Sequence, residues 1–424
     1  MRKINYESNT GYKWVIFSLC FLMIFICMGF ASTSKSIFLA PVTEALQIPR
    51  SVFSISDSCR FITSAIVNAF FGSLVTRFGT KKLIIGGFTA LITSMLIFAF
   101  ASNVIWFYIA GAVMGIGFSW TSTTMVGSIV MRWCKDGVGT VMGVVLAANG
   151  VGSAVATQIL TPIIYENGNN FGYKKAYLLI ATIIFVVMLL FLFLYRENKK
   201  GAVIQSKKQS SSRVSWEGIH IKNAIRLPYF YIMAAFIFLS GMVLQGMISS
   251  FAAILKDSGL APAFVATVVS VYSLCLSFSK VLSGFLYDKF GLKPTVSICN
   301  ICLVLTILFL LLVNSSVFGS VIAMASAVTV ALALPLETIM LPIFAGDLFG
   351  IKSYNDILGI FVSISYAGMA IGAPVMNISY DIFGSYDIGL IVSLIVSLVC
   401  CIVFLFAVNQ SNKHKNTIKR KDTV

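Results

Sequence analysis

The chain has 424 residues, 58% of them hydrophobic and only 11% charged, with a mean hydropathy of +0.93. That composition cannot supply the charged surface of a water-soluble fold, so the chain belongs in lipid. A formal net charge of +16 raises nucleic acid as a partner only if the cations gather on an exposed face, so their placement has to be followed along the chain.

Long apolar runs separated by short polar breaks predict an all-α membrane protein with twelve spans. These fall at residues 14–40, 51–75, 83–101, 104–130, 138–164, 176–195, 228–255, 262–287, 294–313, 317–344, 357–378 and 388–408. Each is long enough to cross about 30 Å of hydrocarbon. Continuous rather than alternating hydrophobicity excludes a closed β-barrel. The first run is too long for a signal-peptide core and lacks a small-residue cleavage pattern, so it is expected to be retained. Pro335, Pro342 and Pro374 predict kinks in the tenth and eleventh spans.

Of the 31 Lys and Arg residues, 24 fall in the N-terminal tail, the even-numbered loops and the C-terminal tail. Arg50, Lys174, Lys175 and Lys256 fall in the odd-numbered loops. The bias is that of a multi-pass protein with both termini cytoplasmic, and it gives the cations a topological task that excludes nucleic acid as the partner. The phenylalanine- and isoleucine-rich composition is compatible with a bacterial plasma membrane.

An internal repeat is visible. GSLVTRFGTKK at 72–82 has a near copy in GFLYDKFGLK at 284–293, an offset of 212 residues, and Gly29 matches Gly241 at the same offset. The organisation read from this is an N-terminal six-helix bundle (1–196), a basic cytoplasmic linker (197–226) and a C-terminal six-helix bundle with its tail (227–424). The linker, with its SKKQSSSR run, reads as a flexible segment in contact with anionic headgroups. A parallel repeat of this kind points to alternating access, with the substrate site between the halves.

Three cations lie within spans: Lys35, Arg60 and Lys280. A lysine at the bilayer centre costs about 2.5 to 3.5 kcal/mol on insertion scales, so something should offset it. Lys280 has no carboxylate one turn away on its own helix, and its nearest loop acid, Asp288, is about 12 Å along the axis. Arg60 lies one turn from Asp57, which permits a pair on one helix face. Lys35 lies near the far end of the first span, where snorkelling to the interface competes with a substrate role. Glu337, between prolines in the tenth span, is a candidate to carry a proton or to neutralise a cation, and Asp57 is an alternative for the same task. Asn68, Asn149, Gln158, Gln245, Tyr272 and Tyr366 are candidates to complete a cavity, against the simpler role of helix-to-helix hydrogen bonding. Cys299 and Cys302 are spaced CxxC in an apolar run without further ligands, which argues against a metal or redox role. His220 and His414 both lie in polar segments and no nucleophile–base or nucleotide-binding pattern is present, so neither an enzyme nor a cofactor is expected.

The repeated loop motif resembles that of the major facilitator superfamily, and the resemblance covers the whole chain. It implies that Arg77 in the first copy and Asp288 in the second help latch the cytoplasmic side, with Thr76 standing where the first copy would carry its acid. Finer features resemble the branch of monocarboxylate transporters and oxalate/formate antiporters: Gly115, Gly117, Met125 and Trp133, then Gly143, Asn149, Gly150 and Gly152, LFGIKSYNDILGI at 348–360, and YDIFGSYDIG at 380–389. In that branch a basic residue four positions before the eighth-helix glycine, the place of Lys280, helps bind the substrate carboxylate. A lysine at the outer end of the first helix corresponds to Lys35, and Arg60 has no counterpart. Leu276 stands where proton symporters of the branch often have aspartate, and Ser365 where oxalate exchangers have lysine.

The combined expectation is a monomeric secondary transporter of a small organic anion, a mono- or dicarboxylate, moved with a coupling proton or counter-anion. Lys280, Lys35, Arg60, Gln245, Tyr272, Asn149 and Tyr366 are the substrate-binding candidates, and Glu337, Asp57, Asp288 and Arg77 the coupling or gating candidates. Two alternatives stand beside it: proton-coupled efflux of an amphiphilic compound with Glu337 titrating, and a transporter-like sensor signalling through the linker.

Overall fold

A computed structural model describes residues 10–133, 138–166, 171–196, 219–350 and 354–422. Most of the predicted linker, 197–218, lies outside these described residues.

The first span is not one uniform helix. It runs as α1 (Thr10–Met23), a π-helical stretch (Ile24–Phe30), a 3-10 stretch (Thr33–Phe38) and α2 (Leu39–Leu46). The change of helical pitch re-aims the side chains after Phe30, including Ser32 and Lys35. The second span comprises α3 (Arg50–Ala69) and α4 (Phe71–Phe78). There follow α5 (Thr80–Phe100), α6 (Val104–Thr121), α7 (Thr123–Trp133), α8 (Val138–Ile164) and α9 (Gly172–Leu194). After the four-residue α10 (Ile221–Ala224) come α11 (Pro228–Asp257), α12 (Pro262–Phe290), α13 (Leu292–Leu312) and α14 (Val317–Ala333). A 3-10 turn (Leu334–Glu337), α15 (Met340–Phe349), α16 (Tyr354–Phe383) and α17 (Asp387–Asp422) complete the chain.

Local sequence explains many of these boundaries. Asn103 opens α6 by accepting from the Ile105 and Trp106 amides, and Ser316 opens α14 by accepting from Gly319. Pro228 and Pro262 stand at the first positions of α11 and α12, where the missing N–H has no intrahelical partner to lose. Pro335 ends α14 as expected, because it cannot donate to the preceding turn. Helix α16 continues through Pro374. The repeated loop motif ends a helix in both copies at glycine, Gly79 with φ 79° and Gly291 with φ 83°, backbone that a residue with a β-carbon rarely adopts.

Among the described residues, eleven helical stretches are long and apolar enough to cross a membrane. The remaining expected span, 51–75, falls on α3 and α4, and serines together with Asp57 and Arg60 make it too polar to qualify by composition alone. With it the molecule is an all-α membrane protein of twelve spans in two pseudo-symmetric bundles, α1–α9 and α11–α17. Buried aromatics fill each bundle, including Phe88, Phe98, Phe107 and Phe191 in the first and Phe236, Phe344, Phe361 and Phe404 in the second. Phe193, Phe318 and Ile402 are exposed, as lipid-facing side chains must be.

The halves meet chiefly along two helix pairs, α3 with α16 and α8 with α12, and α11 also packs against the 3-10 stretch and α2 of the first span. At the first contact Ser58 donates to the Ala370 carbonyl, Asn377 donates to Ser54 at 2.8 Å, and the Phe61 and Tyr366 rings lie 6.0 Å apart. At the second, Gln158 donates to Ser270 at 3.1 Å, Ser273 to Ser153 at 2.8 Å and Ser277 to the Ala147 carbonyl at 3.0 Å. A β-carbon on Gly150 would overlap the Ser273 carbonyl oxygen, so glycine is what permits this approach.

Candidate functional site

We call the membrane face bearing the chain ends the terminal face, and the opposite one the far face. The halves are bound together at the far face. The Arg50 and Ser51 amides at the start of α3 donate to the two carboxylate oxygens of Asp381 on α16, each at 2.8 Å. The Arg50 guanidinium pairs with Asp257 at the end of α11, donates to the Tyr386 hydroxyl at 3.1 Å, and lies 3.8 Å over the Tyr380 ring. Lys256 adds an ion pair to Glu44 at 2.7 Å. Arg50 is only 4% exposed, so its pair with Asp257 is largely desolvated and removing the Asp257 carboxylate would leave a buried charge unpaired, whereas Asp381 and the Lys256–Glu44 pair lie at the exposed rim.

Toward the terminal face the contact between α8 and α12 gives out. β-Carbons on Gly143 and Gly284 would meet nothing within 4 Å, whereas Gly150 is pressed against α12. The pairing residues Ser270, Ser273 and Ser277 form one stripe of α12, and Leu276, Ser279 and Ser283 form the stripe buried in its own bundle. Lys280 lies at the boundary between these stripes, one turn beyond the last contact with α8. It is half-buried, and among the described residues its ammonium has no ion pair or hydrogen bond.

The other two intramembrane cations share one acid. Lys35 donates to Asp57 Oδ1 at 2.8 Å and to Ser56 Oγ at 3.2 Å, with its ammonium 5.1 Å from the Phe98 ring centre. It is 8% exposed and enclosed within the first bundle rather than held at an interface. Arg60 donates through Nε to the same Asp57 oxygen at 3.2 Å and through Nη1 to Ser32 Oγ at 3.3 Å, its guanidinium 4.2 Å over the Phe61 ring. Two cations against one carboxylate leave the cluster one positive charge in surplus.

Glu337 is placed by the 3-10 turn in the interior of the second bundle and is 4% exposed. Ser240 donates to Oε1 and Ser365 to Oε2, both at 2.5 Å. Among the described residues it has no cationic partner.

The remaining candidates are dispersed. Tyr272 is buried within the second bundle with its ring 5.9 Å from Phe251. Gln245 and Asn149 are half-buried on α11 and α8. Tyr366 reaches the junction of the halves through Phe61. Arg77 and Asp288 are exposed near the terminal-face ends of α4 and α12.

The family model described as Major Facilitator Superfamily matches residues 19–254 and 237–423. The chain belongs to the major facilitator superfamily. Members of this superfamily are transporters rather than enzymes; they bind small-molecule substrates and often couple to ions. Among superfamily relatives, it is similar to an uncharacterized MFS-type transporter, YcxA, of Bacillus subtilis (strain 168), 24% identical over 293 residues that cover 68% of this chain and 69% of that one. It is 21% identical to monocarboxylate transporter 2 of Homo sapiens over 417 residues, covering 89% and 81%. The crystal structure of the nucleoside transporter NupG has the same fold, with a TM-score of 0.77 at 14% identity over 94% of this chain and 99% of that one.

For this superfamily member, the far-face cluster around Arg50 was not among the residues singled out from sequence. Its signal was available in outline: an arginine directly after Pro49 at the start of one span, with Asp257 and Asp381 at the same-face ends of two others.

Proposed function

We propose that this transporter carries a small organic anion, a mono- or dicarboxylate, across a bacterial plasma membrane by alternating access. The observation that carries the reading is Lys280: an ammonium within an apolar span, lacking a protein acid, at the place where the halves part. An anionic cargo would offset the cost of holding that charge in lipid. The surplus charge of the Lys35, Asp57 and Arg60 cluster supports the same sign of substrate. Similarity to monocarboxylate transporter 2 across most of the chain agrees with the class. Lysine offers a point charge without the planar fork of arginine, so single-oxygen contact with a carboxylate fits it better than two-toothed recognition.

With the basic loops cytoplasmic, the far face is the outside, and the contacts at Arg50 hold the transporter closed there. Arg77 and Asp288 lie at the side that must close in turn, where they are placed to act as its latch. Glu337, buried with two hydroxyl partners and no cation, is the group suited to carry a coupling proton. Binding of an anion at Lys280 lowers the charge of the cavity and so lowers the cost of closing it.

The test is counterflow in proteoliposomes loaded with short mono- and dicarboxylates. Lys280→Ala is expected to abolish carboxylate-dependent exchange while leaving the protein folded. Near-normal exchange by that variant would overturn the reading.

A further inference from the structure

Lys280 does not account for the second positive charge in the path. Lys35 is sealed behind Phe98 and Ser56, so the surplus of the three-residue cluster is delivered by Arg60. The guanidinium spends Nε on Asp57 and Nη1 on Ser32; Nη2 has no partner among the described residues. Tyr366, from the other half, has its ring 6.0 Å from that of Phe61, over which the Arg60 guanidinium lies, and its hydroxyl has no hydrogen-bond partner among the described residues. A cation and a free hydroxyl from opposite halves thus converge beside the innermost contact of α3 with α16.

The depths differ. Helices α3 and α12 begin at matching places in the repeat, Arg50 and Pro262. Arg60 is about 15 Å along its helix and Lys280 about 27 Å along its own, so the two cations are separated by about 12 Å in depth. A small carboxylate cannot hold both with one acidic group.

Resting on the anion reading above, we propose that Arg60 and Tyr366 form a second carboxylate station, nearer the outside, which captures an anion entering from the outside as the outer side closes over it, and that Lys280 takes it when the inner side is open. Arg60 offers N–H donors and Tyr366 an O–H donor, a set that recognises a carboxylate oxygen pair and rejects the corresponding neutral amide. Because the two groups come from different halves, the station is complete only where the halves touch.

The experiment compares uptake of short monocarboxylates in right-side-out and inside-out membrane vesicles. Arg60→Gln is expected to raise KM from the outside by about tenfold or more, the loss of one charge-assisted hydrogen bond, and to leave KM from the inside within about twofold. Tyr366→Phe, which touches none of the Asp57 contacts, should shift KM in the same direction by a smaller factor. A merely structural Arg60 would lower the maximal rate from both sides and leave the asymmetry of KM unchanged, and that result overturns the proposal. If the Arg60 variant does not fold, an unchanged outside KM for Tyr366→Phe overturns it instead. Failure of the wild type to move any carboxylate overturns the underlying anion reading, which a symmetric Arg60 result would leave standing.

Discussion

The backbone amide of Arg50 and the carboxylate of Asp381, 331 residues apart in the chain, meet at 2.8 Å and join the two halves at one face of the membrane. The carboxylate sits at the amino end of α3, where unpaired amides and the helix dipole favour negative charge. The same junction buries the Arg50 guanidinium against Asp257 and Tyr386.

Asp381→Asn is therefore expected to weaken the closed far face and to move the conformational equilibrium toward the far-face-open state, by about tenfold if it removes about 1.4 kcal/mol of differential stabilisation. Spin labels at Gln47 and Asp387, both exposed and on opposite halves, would report the change in a cysteine-free background. An unaltered distance distribution would show that the junction does not set the equilibrium.

Gly150 should behave in concert. A β-carbon there would overlap the Ser273 carbonyl across the second inter-half contact, so Gly150→Ala is expected to part α8 from α12. Relief by separation predicts the same shift as Asp381→Asn; relief by a purely local adjustment would leave the label distances unchanged and instead lower stability by about 1 to 3 kcal/mol.

Asp57 holds two cations, and its replacement leaves both unpaired. Asp57→Asn is expected to destabilise the protein by about 3 to 5 kcal/mol, seen as a lower midpoint of thermal unfolding in detergent. Adding Lys35→Met should restore much of the loss, since it removes the more enclosed charge. No recovery in the double variant would mean that Asp57 acts through something other than charge balance.

Glu337→Gln preserves the shape of the side chain but cannot lose or gain the carboxyl proton. If Glu337 couples transport to protons, the variant should lose accumulation driven by a pH gradient and keep exchange of substrate across the membrane. Retained gradient-driven accumulation would place the coupling elsewhere.

The loop pair Glu166 and Lys175 offers a control. Lys175, 2.7 Å away, holds the Glu166 carboxyl below the usual glutamate range. Its contribution is present above the ordinary glutamate pKa and fades as pH falls through the lowered one. Both side chains are solvent-exposed, so Lys175→Ala should leave thermal stability at pH 7 and pH 4 equally unaffected within error.

Much of the architecture was legible because lipid imposes a simple code: uninterrupted apolar runs gave the spans, and the 212-residue repeat gave the halves. The second span was read as an apolar run like the others, although its serines with Asp57 and Arg60 make it the most polar of the twelve and keep it from qualifying by hydropathy alone. The Asp57 and Arg60 pair was legible from their spacing of three along a helix. Lys35 joining them was not, because its direction depends on the π and 3-10 turns before it. Nor were the serines on Glu337 legible, as Ser240 and Ser365 reach it from separate helices. Arg50 looked like one more loop cation because its partners, Asp257 and Asp381, are distant in sequence.

At the far-face junction two of the donors reaching Asp381 are main-chain amides. Any residue other than proline at position 51 supplies the same N–H, so mutational scanning of that position would be silent about this contact between the halves. That contact is tunable from one partner only: adjustment by substitution falls on Asp381, and variation there is expected to change the balance between the two open forms without altering the residues proposed to meet the cargo.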